Sequence, residues 1–110
     1  MEQEIYSKLE ASIGEFEKVG LLYAEAKSLS DYLQELKKVI LANQMKRFEG
    51  SNANREMEAL ATKEYMIHLD GMRAAASDEL RFRVQYEKLR YQIEAFRSLL
   101  SLEKEKIRLM

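Results

Sequence analysis

The chain has 110 residues, with 18 Lys+Arg against 19 Asp+Glu, so its bulk charge draws it to no polyelectrolyte partner. It has no cysteine, which removes disulfide frameworks, thiolate metal sites and thiol nucleophiles. No apolar run approaches the roughly 20 residues that a bilayer-spanning helix needs, so no membrane partner is expected.

Proline is absent and charged residues make up 34% of the chain. Proline breaks helix interiors, so its absence lets helices run on, and this composition points to long helices or a coiled coil. The length allows one domain, residues 1–110. The opening MEQEIYSKLE is mixed and acidic, unlike a signal peptide, and a cytoplasmic location is the expectation.

The first helix is expected over residues 2–48. Leu9, Ile13, Phe16, Tyr23, Ala26, Leu33, Leu36 and Ile40 follow one another at steps of three and four, or sums of these. That is a helical stripe of near-heptad period, without the alternation of a strand. Gly14 and Gly20 weaken it, each by about 1 kcal/mol relative to Ala. Ser28 to Asp31 could restart a helix, so a kink is allowed near Gly20 or Ser28. Residues 49–54, EGSNAN, then gather the turn formers Gly, Ser and Asn. Gly50 can take the left-handed conformation that ends a helix, and Asn52 or Asn54 can cap the next one.

The second helix is expected over residues 54–108, with a break near Thr62. Phe82, Tyr86, Leu89, Ile93, Phe96, Leu100 and Ile107 form a heptad seam in which only Glu103 is polar. Upstream, Tyr65, Leu69, Met72 and Ala76 repeat the same steps, and a stutter is expected between the two runs. Two long helices around one short turn pack as antiparallel neighbours. The fold class is therefore all-α, a long antiparallel coiled-coil-like hairpin. Tyr32, Val39 and Leu41 on the first helix, and Tyr91, Leu99 and Leu102 on the second, exceed what one stripe uses. They predict self-association, with two hairpins forming a four-helix bundle as the simplest arrangement.

Little in the chain points to catalysis. No serine lies in a Gly-rich elbow, and phosphate-binding glycine motifs are missing. Glu64 and His68 share a helix face, with Asp70 and Glu79 nearby, but the spacing is Glu-x-x-x-His and occurs once. Di-iron bundles use Glu-x-x-His twice, so neither metal nor cofactor is expected. The expectation is a non-enzymatic binding protein.

Seven of the eight arginines lie at Arg55 or beyond. Arginine offers a flat five-donor fork that suits protein interfaces and phosphates, where lysine would serve solubility equally well. His68, Asp70, Arg73, Arg81, Arg90 and Arg97 are the candidate partner-binding residues. The bland reading is that these arginines only pair with Glu79, Glu87 and Glu94 on the helix surface. Lys46, Arg47, Arg55 and Lys63 gather around the hairpin tip, where they could hold phosphates. Nucleic acid is a second, less favoured partner, through that tip or through the Arg-rich helix with its interleaved aromatics.

Residues 55–100 carry a further pattern: Arg55-Glu56, Ala59-Leu60-Ala61, Glu64-Tyr65, His68-Leu69-Asp70-Gly71-Met72, Ala74-Ala75, Arg81, Arg90 and Glu94-Ala95-Phe96-Arg97-Ser98. It resembles a group of small helical proteins encoded by bacteriophages and prophages, often near replication or recombination genes. In these, a Tyr-x-x-His-Leu-x-Gly-Leu-like core precedes an Arg-rich helix ending in a Glu-x-(Trp or Phe)-Arg-Ser-like segment. Met72 stands where Leu is usual, and the first 50 residues match nothing in the group. The resemblance carries no activity with it. It implies a phage-encoded accessory protein in the bacterial cytoplasm, an adaptor or inhibitor of a recombination, replication or host-defence complex. Small helical hairpins also serve as export chaperones or stalk components of secretion and flagellar systems, which is the remaining alternative.

Overall fold

The computed structural model describes all residues, 1–110, as three helices and no strand: α1 (Glu2–Met45), α2 (Asn52–Leu60) and α3 (Lys63–Leu109). The chain is an all-α helical hairpin. It divides into two compact units, one built from Met1–Ala24 with Leu80–Met110, the other from Glu25–Glu79.

Without a proline to interrupt it, α1 runs unbroken through Gly14, Gly20 and Ser28. It stops at Met45, three residues before the expected end. There the backbone tightens: Arg47 N–H bonds to Gln44 O and Phe48 N–H to Met45 O, both at 3.1 Å. Such three-residue bonds satisfy carbonyls that the last helical turn would leave open. Arg55 adds to this closure, its Nε donating to Met45 O at 3.2 Å. Gly50 takes φ 111°, the left-handed region that the sequence predicts for it.

The cap of α2 is Ser51, not Asn52 or Asn54. Its Oγ accepts the Asn54 N–H at 3.2 Å, while the Asn54 side chain turns back to Glu49 O. Thr62 separates α2 from α3 as expected. Its hydroxyl donates to Ala59 O at 2.8 Å and accepts the Tyr65 N–H at 3.3 Å.

In the first unit, α1 turns Ile5, Leu9, Ser12, Phe16, Val19 and Tyr23 inward, at steps of four and three. From α3 come Phe82, Tyr86, Leu89, Ile93, Phe96, Leu100 and Glu103, at steps of four and three as well. The Phe16 and Tyr86 rings stack at 4.5 Å, and Tyr23 leans on Tyr86 at 5.5 Å. Gly20 lies beside the same ring, where an added Cβ would sit 3.5 Å from Tyr86 Cε2. Ser12, not Ile13, occupies the seam, and Ile13 lies at its edge with 36% of its surface exposed. Ser12 falls on the same stripe as Leu9 and Phe16, at steps of three and four, and Ile13 is turned one position away from it.

In the second unit the seam is Ala26, Ser30, Leu33, Leu36 and Ile40 of α1, against Tyr65, His68, Met72, Ala75 and Glu79 of α3. Ala59 of α2 is fully buried. Ala75 is buried and Ala76 exposed, which moves the α3 stripe back by one residue. The steps from Tyr65 onward are then three, four, three and four to Glu79, and three more to Phe82. The expected stutter is absent, because His68 and Glu79 hold seam positions that read as polar surface. Tyr32, Val39, Tyr91, Leu99 and Leu102 lie outside the seams and are exposed, whereas Leu41 is half-buried.

Candidate interaction surface

The helix period sets the first part of the surface. Arg83, Arg90, Arg97 and Lys104 stand seven residues apart on α3, each one position after a seam residue. Heptad spacing keeps them in one row beside the seam. In the first unit, α1 answers with Tyr6, Ile13 and Gly20, also seven apart and uncharged. The Lys104 ammonium reaches to 6.0 Å from the centre of the Tyr6 ring. Between the rows lies an open groove of about 240 Å³, lined by Ile13, Phe16, Arg90, Ile93, Glu94 and Arg97. Its apolar part comes from Ile13, Phe16 and Ile93, and its charges from two arginines and one glutamate. Long arginine stems cover apolar surface while their heads stay in water, so such a wall can meet an apolar side chain and a carboxylate together. A groove of about 300 Å³ on the same unit is lined by Glu15, Gln85, Lys88 and Gln92 around Val19 and Leu89, a more polar set.

The arginines chosen from sequence are not equally placed. Arg90 donates to Glu87 at 2.7 Å, and the adjacent carboxylate holds its pKa above the ordinary value. Its guanidinium also lies 5.1 Å from the Tyr91 ring centre, as does that of Arg81 from Phe82. Arg97 lines the groove with Arg90. In the second unit, Arg73 and Asp70 form a long 4.0 Å pair, with both side chains well exposed. Pairs of this kind contribute little to stability.

His68 is turned into the seam. Its Nε2 lies 2.9 Å from Leu33 O. A carbonyl oxygen only accepts, so Nε2 carries the proton and donates across the helix pair. His68 belongs to the unit Glu25–Glu79, and Arg90 and Arg97 belong to the unit built from Met1–Ala24 with Leu80–Met110. No three His, Cys, Asp or Glu side chains converge as a metal ion would require.

At the tip, two of the four basic residues serve the fold. Arg47 bonds to Gln44 at 2.7 Å and to Glu64 at 3.1 Å, and Arg55 closes the end of α1. Glu64 sits in the first turn of α3. There it hydrogen-bonds the helix backbone, and with Arg47 close by its pKa is lowered from the ordinary 4.5. Lys46 and Lys63 are exposed.

Sequence reasoning passed over Lys104 and left Arg83 outside the site. The signal was the interval of seven, which places both in one row with Arg90 and Arg97. Comparison with protein-family models, curated proteins and solved structures finds no match for this chain. No helix is long and apolar enough to cross a membrane.

Proposed function

We propose that the chain is a non-enzymatic accessory protein of phage type that acts by binding other helices. In this reading it works in the bacterial cytoplasm as an adaptor or inhibitor of a recombination, replication or host-defence complex. The supporting observation is the arginine-bordered groove over Ile13, Phe16 and Ile93. An amphipathic partner helix with an apolar anchor and a flanking carboxylate fits that chemistry, and arginine is enriched at such contacts. Pairing with a second copy belongs to the same reading, because large apolar side chains remain outside the seams.

The test is affinity capture from phage-infected cells, with the native chain and an Arg90→Lys/Arg97→Lys variant run in parallel. Lysine keeps the charge and loses the planar fork. The expected result is one defined protein whose affinity falls about tenfold or more in the variant. Equal retention by both chains would move the site away from the groove. Capture of DNA, lost steeply between low and physiological salt, would replace this reading with the nucleic-acid one.

A further inference from the structure

Beside its seam, and sharing the half-buried Leu36 with it, α1 carries a second strip within the unit Glu25–Glu79. Leu29, Tyr32, Leu36 and Val39 follow at steps of three, four and three, so they line one side of the helix. Leu29, Tyr32 and Val39 are 51%, 56% and 52% exposed, and Leu36 is half-buried. Asn43 continues the strip four residues on. The opposite flank of the same stretch is charged, with Lys27 and Asp31 paired at 3.6 Å.

The ends of the strip carry opposite charge. Glu25 lies four residues before Leu29, and Lys46 three residues after Asn43; both are exposed. Lys46 keeps the helical register, since its N–H still bonds to Ala42 O at 3.3 Å. The order is thus Glu25, Leu29, Tyr32, Leu36, Val39, Asn43, Lys46, and the steps are four, three, four, three, four and three. This pattern is nearly symmetric about Leu36. An antiparallel copy related by a two-fold axis there would set Tyr32 against the partner's Val39. It would also set Glu25 against the partner's Lys46, twice per dimer. A parallel copy would set Glu25 against Glu25 and Lys46 against Lys46.

We infer that this strip is the docking surface for a second copy of the chain, α1 against α1 in antiparallel register. Two hairpins joined in this way bring four long helices together. The inference rests on the self-association part of the proposed reading and names its surface.

Sedimentation of the full chain at tens of micromolar and low salt tests it. The native chain is expected to be a dimer. Tyr32→Glu and Val39→Glu change exposed positions and should give monomers with undiminished helical circular dichroism. Glu25→Lys and Lys46→Glu should each weaken the dimer about tenfold, because two attractive contacts become repulsive. The double exchange Glu25→Lys/Lys46→Glu should restore native affinity. A monomeric native chain overturns self-association and this inference with it. A dimer indifferent to Tyr32→Glu and Val39→Glu keeps self-association and places it on another surface. Loss of the dimer in those two variants, without rescue in the double exchange, rejects the antiparallel register.

Discussion

The two units solve one packing problem with different side chains. Between Met1–Ala24 and Leu80–Met110 the seam is aromatic and aliphatic, with Phe16 stacked on Tyr86 and with Val19, Ile93 and Leu100 buried. Between Glu25 and Glu79, Ser30, His68, Ala75 and Glu79 share the seam with Leu33, Leu36, Ile40, Tyr65 and Met72. Large rings hold the first pair by buried area and contact. The second pair adds polar contact to its apolar packing, with His68 donating across the helices to Leu33 O. The outer surfaces differ in the opposite sense. The aromatic unit carries the row of basic side chains, and the other unit carries the strip on α1 that is charged only at its ends. A heptad period therefore defines where a helix packs without defining what kind of contact it makes there.

The largest expected effect tests the aromatic unit. Ile93→Ala removes a buried branched side chain and should cost about 2–5 kcal/mol in denaturant unfolding. A cost below ~1 kcal/mol would mean that the seam there is not close-packed. The next effect probes the polar seam. His68→Leu makes the inward position apolar and should change stability by no more than about 1 kcal/mol, whereas His68→Asp should cost about 1–3 kcal/mol, because it sets a carboxylate against the Leu33 carbonyl. If both variants behave like the native chain, His68 belongs to the surface and the contrast between the units weakens.

The smallest effect concerns acid. Glu64 has a folded-state pKa below 4.5, held down by its backbone hydrogen bond at the start of α3 and by Arg47. A depressed carboxylate stabilises the fold fully above its unfolded value and loses that contribution as the pH falls through its folded one. The difference in melting temperature between the native chain and Glu64→Gln should therefore be present at neutral pH and shrink below about pH 4.5. A difference that stays constant from pH 7 to pH 3 would remove the carboxylate from the tip's stability.

Much of this was legible in the chain itself. Steps of three and four fixed two long helices, and a cluster of Gly, Ser and Asn marked their single turn. Thr62 announced its break because threonine caps helices. Within the seams, the structure departs from the expected stripe mainly at residues whose chemistry and position disagree. Ser12 and Ser30 look like surface but are buried, because the helical period carries them onto the seam. Ile13 looks like core but sits at the edge. Ala75 and Ala76 are chemically identical, so the stripe could be read one residue late, and a stutter followed from that error. The candidate arginines were visible as a composition bias. The row of Arg83, Arg90, Arg97 and Lys104 was legible as well, one position after the seam residues Phe82, Leu89, Phe96 and Glu103; only the structure set Ile13 and Phe16 across from it and so made a groove.

By itself, then, the sequence determined helix, turn and partner stripe, because those depend on local backbone preference and on hydrophobic period. Tertiary structure decided which of two neighbouring residues faces inward, since a rotation of one position moves a side chain by about 100° around the helix axis. It likewise decided that Arg47 and Arg55 serve the tip while Arg90 and Arg97 border a groove. Their charge is the same in all four places, and only the surrounding carbonyls, carboxylates and apolar side chains give each its task.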